Sequence, residues 1–236
     1  MKNLFMGVIL LFAINTNAQT FEKDVFKTSK GDLTITFVGH GTLMMEWDGK
    51  VIHIDPVSMF ADYTKMPKAD LILITHSHPD HLDVKSIDAV KKESTPVVIS
   101  PNCVQSYPDG KLMKNGDSGT FAGIEVEAVP AYNTEGKTFH PKGQGNGYVI
   151  QFGDKRVYVA GDTENIPEMA NLKNIDIAFL PMNLPYTMTP EMVAEAAKVI
   201  KPKILYPYHF GDTDTNKLLD LMKNQKETEV RIRKLS

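Results

Sequence analysis

The sequence predicts an α/β protein of two β-sheets with helices packed on their outer faces. Two observations predict it. Strands come first, and strands then alternate with helical segments, twice over, so the sheets need cover on both faces. The chain has 236 residues, 42% of them hydrophobic and 23% charged, which is enough for one substantial core. Neither a linker nor a short repeat divides it, so residues 19–236 are expected to form a single domain.

The elements follow in order. Leu33 to Val38 alternates and reads as a strand, which Gly39-His40-Gly41 breaks. Leu43 to Trp47 is a second strand, and Asp48-Gly49 is a hairpin signal leading into Val51 to Ile54. Asp55-Pro56 closes that strand, because proline brings no amide hydrogen to a ladder. The apolar run Leu71 to Ile74 is another strand, and Asp83 can cap a helix over Val84 to Lys92. Pro96 to Ile99 is a short strand, whereas Ser100 to Gly123 carries only weak signals. Ile124 to Val129 alternates again. Ala131 to Gly145 is predicted to be a long loop, and loops of that length are more often functional than idle.

Tyr148 to Phe152, a Gly153-Asp154 turn and Val157 to Ala160 make a hairpin that ends in Gly161-Asp162-Thr163. Ile175 to Leu180 is a strand and Met182 to Met188 a loop. Thr189-Pro190-Glu191 opens a helix running to about Lys201, with a capping hydroxyl, proline at the first helical position and an acid near the positive end of the dipole. Ile204 to Tyr208 is a strand ending at His209. A last helix covers about Thr215 to Lys226, and Val230 to Arg233 reads as an edge strand.

Residues 1–18 have the layout of a secretory signal: Lys2, an apolar stretch from Leu4 to Ile14, then small residues at Thr16 and Ala18. The apolar stretch is too short to span a bilayer as a mature helix. The mature protein is therefore expected to begin near Gln19 and to be secreted or periplasmic, without a stable membrane span. A net charge of -3 and the lack of a lysine- or arginine-rich run argue against nucleic acid as a partner. The single cysteine, Cys103, excludes an internal disulfide framework and a thiolate metal cluster.

Chemistry concentrates in Thr75-His76-Ser77-His78-Pro79-Asp80-His81. Neutral imidazole nitrogen and carboxylate oxygen are the ligands that divalent transition metals take. His76 and His78 are two apart, so in extended chain both point to one side. Asp80 and His81 lie where a turn can aim them at a second metal about 3.5–4 Å away, the spacing of two-metal hydrolytic sites. Asp162 and His209 both sit at predicted strand ends, with glycine at 161 and 211 beside them.

The motif His76-Ser77-His78-Pro79-Asp80-His81 resembles the HxHxDH signature of the metallo-β-lactamase superfamily. Gly161-Asp162-Thr163 and Tyr208-His209-Phe210-Gly211 are similar to its downstream metal-ligand motifs. Gly39-His40-Gly41 and Ile54-Asp55-Pro56 resemble the opening hairpin of the UlaG-like lactonase branch. The resemblance implies an αββα four-layer sandwich with a dinuclear site at one edge of the two sheets. It implies that His76 and His78 bind the first metal, that Asp80, His81 and His209 face the second, and that Asp162 bridges them. Many relatives place a histidine after the strand that precedes the long loop, whereas this chain has Asn133 there. His140 is expected to complete the first site in preference to Asn133 or water. His40 is a candidate for the pocket lining, His53 for a structural or surface role, and Asp55 for orienting a ligand.

Two divalent metals sharing a water lower its pKa and polarise the electrophile, so the expected activity is a metal-dependent hydrolase with a bridging hydroxide. The substrate expected is a small ester, lactone or phosphodiester, and the metals zinc first, with manganese or iron as alternatives. Asp80 is expected to be essential to catalysis, and Tyr186, Tyr208 and His40 are candidates to assist the leaving group. Spacing downstream of the histidine cluster argues against β-lactamase activity. The rival readings are a di-iron redox enzyme and a non-catalytic metal-binding protein on the same fold.

Overall fold

Apolar residues alternate over the first third of the chain and produce an antiparallel meander: β1 (Glu22–Thr28), β2 (Gly31–Gly39), β3 (Thr42–Trp47) and β4 (Lys50–Ile54). The continuously apolar β5 (Leu71–Ile74) then joins β4 in parallel. After α1 (Val84–Val90), β6 (Val97–Ile99) and β7 (Lys111–Leu112) extend that parallel edge. This is a computed structural model describing residues 19–134 and 136–235, so the expected signal segment, residues 1–18, lies outside the described residues.

The second half follows the same plan. β8 (Ser118–Phe121), β9 (Ile124–Ala131), β10 (Gly145–Phe152) and β11 (Lys155–Val159) are antiparallel neighbours. β12 (Ile177–Pro181), α2 (Pro190–Ile200), β13 (Ile204–Tyr208), α3 (Thr215–Met222) and β14 (Glu229–Val230) complete it, with the three strands parallel. Each seven-stranded sheet is built from one continuous half of the chain, and the chain crosses between them once, through residues 113–117.

The layers follow from burial. The inner faces meet where Phe37 of β2 packs 5.1 Å from Tyr206 of β13, with Phe179 of β12 a further 5.0 Å from Tyr206. On the outside of the first sheet, α1 buries Ile87 and Val90 against Ile72, Ile74, Val97 and Ile99. On the second, α2 buries Val193, Ala194, Ala197 and Ile200. The Thr189 hydroxyl caps α2 by accepting from the Met192 amide at 3.1 Å, as expected. The architecture is the αββα sandwich. No helix among the described residues is long and apolar enough to cross a membrane.

The edge strand expected over Val230 to Arg233 is shorter and earlier, β14, and α1 ends two residues before the expected Lys92. Three further differences from expectation have local causes. β1 was not anticipated, because it is a charged edge strand whose Val25 stays exposed, which blurs the alternation. β9 and β10 pair further than the apolar pattern reaches, to Ala131 and from Gly145, which shortens the long loop at both ends. α3 stops at Met222, since beyond the buried Leu218 and Met222 come Lys223, Asn224 and Gln225, with no apolar face to bury.

His53 has a structural role and is not on the surface. It is fully buried on β4, its Nε2 lies 3.0 Å from the Pro67 carbonyl, and its ring meets Tyr63 edge-on. Burial lowers its pKa from 6.5 to about 4, against the raising effect of the hydrogen bond it donates to the Pro67 carbonyl. The unfolded chain therefore takes up a proton below pH 6.5 that the folded chain refuses until about pH 4. Stability from this group is present above pH 6.5 and is lost as pH falls toward 4, by up to about 3 kcal/mol. Denaturant melts of wild type and His53→Leu across pH 7 to 4 should diverge by that amount, with the variant losing less; parallel curves would remove His53 as the cause.

Candidate metal centre

The ends of strands from both sheets converge on one spot. β5 delivers Thr75 and the turn carrying His76, His78, Asp80 and His81, and the turn is closed by hydrogen bonds from the His81 and Leu82 amides to the His78 carbonyl. β2 leads into His40, β11 into Gly161-Asp162, and β13 into His209. His40, Asp55 and His209 all adopt left-handed backbone angles, with φ of 51°, 47° and 48°. Such angles are costly for residues with a Cβ and persist where packing over-determines them. The His209 amide donates to the His40 carbonyl at 3.1 Å, which ties the two sheets together at the centre. Glycine is required beside it at two positions. A Cβ on Gly41 would lie 2.6 Å from the His81 ring, and one on Gly161, at φ 65°, would lie 2.7 Å from the Asn146 carbonyl.

The side chains fall into two groups. His76, His78, His140 and Asp162 form one, and His40, Asp80, His81 and His209 the other; within each, the candidate ligand atoms lie within 4.8 Å of one another. His76 Nε2 is 3.0 Å from His78 Nδ1. Asp162 faces both groups. Its Oδ2 lies 3.3 Å from His140 Nε2, 3.7 Å from His76 Nε2 and 3.3 Å from His209 Nε2, and its Oδ1 lies 3.5 Å from His81 Nε2. Asp80 Oδ2 is 3.3 Å from His40 Nε2 and 3.6 Å from His209 Nε2.

The expected orienting role of Asp55 has a clear geometry. One of its oxygens accepts from the Thr75 amide at 2.8 Å, and the other lies 2.6 Å from the Thr75 hydroxyl and 2.8 Å from His81 Nδ1. A proton held on Nδ1 turns the lone pair of His81 Nε2 toward Asp162.

Charge is balanced within the cluster. Burial alone would lift Asp162, but His209 and His81 hold it well below the carboxylate range. Burial would likewise raise Asp80, and His209 and His40 hold it far lower. Burial would lower His209, yet Asp162 and Asp80 push it up to about 10. His76 goes the other way: burial, with the positive neighbour His81, drives it well below 6.5. The two carboxylates thus create a field that favours positive charge among imidazoles otherwise disposed to be neutral.

A metal fits these residues because several of their buried polar atoms are unpaired. His81 Nε2, His140 Nε2, both ring nitrogens of His209 and Asp162 Oδ1 are buried and make no hydrogen bond among the described residues. Buried polar atoms are rarely left so. Imidazole nitrogens and carboxylate oxygens that converge with no hydrogen bond to satisfy these atoms form the nitrogen-and-oxygen set of a divalent transition metal.

A cavity of about 330 Å³ opens over the centre, lined by His40, His78, Asp80, His209, Asn183 and Tyr186 among others. His40 and Tyr186 therefore sit where a substrate-contacting group must. Tyr208 does not: its side chain is wholly buried, and its hydroxyl donates to the Gly161 carbonyl at 3.2 Å, which removes it as a leaving-group acid. A larger hollow, of about 790 Å³, is lined by Gln151, Arg156 and Ile200 among others and is remote from these residues.

Asn133 is an orienting group, a role its sequence position did not reveal. Its Oδ1 accepts from the His140 amide at 2.9 Å and lies 3.1 Å from His140 Nδ1, while its Nδ2 donates to the Tyr186 carbonyl at 2.8 Å. Nε2 of His140 is thereby the free nitrogen. Asn133→Ala should weaken metal binding about 10-fold or more by chelator competition, and Asn133→Asp, which keeps the acceptor, should lose less. Equal losses in the two variants would count against this role. Phe139 was also missed; its only signal was adjacency to His140.

Comparison with known proteins agrees with this fold. The family model described as a beta-lactamase superfamily domain matches residues 34–209. A UPF0173 metal-dependent hydrolase of Ligilactobacillus salivarius is 33% identical over 190 residues, spanning 76% of this chain and 85% of that protein. A crystal structure from Parabacteroides distasonis, assigned as a metal-dependent hydrolase, is 52% identical, with a TM-score of 0.89 over 92% of this chain and all of the other. Igni18, a metallo hydrolase of the hyperthermophilic archaeon Ignicoccus hospitalis, is 25% identical, with a TM-score of 0.72 over 86% of this chain and 96% of its own.

Proposed function

Because the chain belongs to the metallo-β-lactamase superfamily and, within it, to the UPF0173 metal-dependent hydrolases, it is a metal-dependent hydrolase, and we propose that its two side-chain groups hold two divalent metal ions. The observation that carries this is Asp162, one carboxylate facing both groups at the floor of one cavity. His76, His78 and His140 would hold the first ion and Asp80, His81 and His209 the second, with Asp162 shared. Zinc suits the donors best, with manganese or iron as alternatives. Metals so held lower the pKa of water and polarise a substrate oxygen.

This chain's own residues do the rest. Asp55 and Asn133 fix the ring orientation of His81 and His140. Asp80, kept ionised by His209 and His40, orients both rings at the cavity wall. His40 and the Tyr186 hydroxyl are the groups placed to hand a proton to the leaving group. Unchanged turnover in Tyr186→Phe would leave His40 in that role.

The substrate is an ester, lactone or phosphodiester, with lactones favoured by the likeness of Gly39-His40-Gly41 and Ile54-Asp55-Pro56 to the UlaG-like lactonase branch. A panel of lactones, phosphodiesters, thioesters and β-lactams, run with metal content measured, tests this. Turnover should fall on chelation, return with zinc and be missing on β-lactams. Bound iron with oxygen uptake would favour a redox enzyme, and a metal-free, inert protein a binding role. We further propose secretion, from the signal-like residues 1–18; mass spectrometry of the exported protein should find a start near Gln19.

A further inference from the structure

Phe139 and Tyr186 keep 41% and 45% of their surface exposed, although both line the cavity over the candidate metal centre. They come from different loops, residues 132–144 and 182–188, yet their ring centroids are 5.0 Å apart with planes at 72°. That edge-to-face arrangement is the one ring quadrupoles favour. The pair is set in advance. Asn133 Nδ2 holds the Tyr186 carbonyl at 2.8 Å, the Tyr186 amide donates to the Asn183 carbonyl at 3.0 Å, and Thr134 and Lys137 are both bound by Glu164. Exposed apolar rings fixed beside a polar centre are surface that a ligand can cover without first having to order it.

Charge narrows the ligand. Lys137 and Lys142, the two lysines of the first loop, are engaged by Glu164 and Glu168. Among the described residues no lysine or arginine lines the cavity, whereas Asp80 and Asp162 do. Beyond the metals' own charge, the cavity therefore offers no cation to the remaining oxygens of a phosphate ester. We propose that Phe139 and Tyr186 form an aromatic wall that selects uncharged esters or lactones carrying a planar apolar group. The proposal rests on the hydrolase reading for its chemistry, but the wall itself can be read by binding.

The test uses the full mature chain with its metal content measured. Acetohydroxamic and phenylacetohydroxamic acids share one metal-binding head and differ by a phenyl ring. Calorimetry should show the phenyl compound binding about 10-fold tighter to wild type. In Phe139→Ala that advantage should fall below about 3-fold, with acetohydroxamic acid affinity and metal content unchanged, and Phe139→Tyr should restore it. If Phe139→Ala loses metal or fold, Tyr186→Leu reads the other side of the wall by the same comparison. Equal affinities in wild type, or an advantage that survives both substitutions, would overturn the proposal. In turnover, dihydrocoumarin should give a higher kcat/KM than bis(4-nitrophenyl) phosphate, and the reverse order would overturn the uncharged class. If neither is cleaved while the phenyl advantage persists, the proposed ester, lactone and phosphodiester classes fail together and the wall stands.

Discussion

Asp162→Ala should abolish hydrolysis and strip metal from both side-chain groups. The carboxylate is buried, and its two oxygens lie 3.3–3.7 Å from His76, His81, His140 and His209. No other described carboxylate lies this close to both groups, Asp80 meeting only His40 and His209 and Asp55 only His81. Removing it takes the proposed shared ligand and a full negative charge from a site where that charge offsets clustered imidazoles. The rate should fall by about 1,000-fold or more, with metal per chain near zero by elemental analysis. Asp80→Ala is the useful contrast. Asp80 touches only the second group, through His40 and His209, so about one metal per chain should remain while turnover is lost. Two metals retained in the Asp162 variant would refute the shared role.

Stripping metal from the wild-type protein should lower its melting temperature by about 10 °C or more. The polar atoms of His81, His140, His209 and Asp162 that lack hydrogen bonds each leave a desolvation cost of about 1–3 kcal/mol unless a ligand meets them. A metal present a thousandfold above its Kd stabilises by about 4 kcal/mol, and about 2–4 °C accompanies each kcal/mol in a chain of this size. The effect has a direction with pH. In chelated protein, His209 is raised to about 10 by Asp162 and Asp80, so its stabilisation is complete below about 6.5 and is lost as pH rises toward 10. Metal binding strengthens over the same range as imidazoles deprotonate. Calorimetric scans with and without chelator should therefore separate further at pH 9 than at pH 7. Superimposed scans would show that no ion is bound here.

The centre was legible because its residues are concentrated and unusual. Three histidines and an aspartate within His76–Asp80–His81 have no ordinary packing explanation, and Asp162 and His209 announce themselves at strand ends beside glycines. The strands of the core were legible for a similar reason, since β5 and β13 are apolar throughout. What escaped was contributed by tertiary contact. His40 stands at ligand distance from Asp80 because the backbone turns left-handed there, an angle that the flanking glycines hint at but do not specify. Asn133 looked like a missing ligand and is the residue that orients His140, since the pairing of β9 with β10 brings position 133 back against 140. Phe139 and Tyr186 are 47 positions apart, and nothing local marks them as neighbours.

The single crossing at residues 113–117 bears on how this protein reaches its active state. His40, His76, His78, Asp80 and His81 precede the crossing, and His140, Asp162 and His209 follow it. Each half can pair its own strands from nearby sequence, but neither owns a complete ligand set. An ion bound across the seam is thus a rivet between two modules, and competence arrives only when they have docked. Fragments divided within 113–117 should bind metal tightly as a pair and weakly apart, so that the ion becomes a direct report on the last step of assembly.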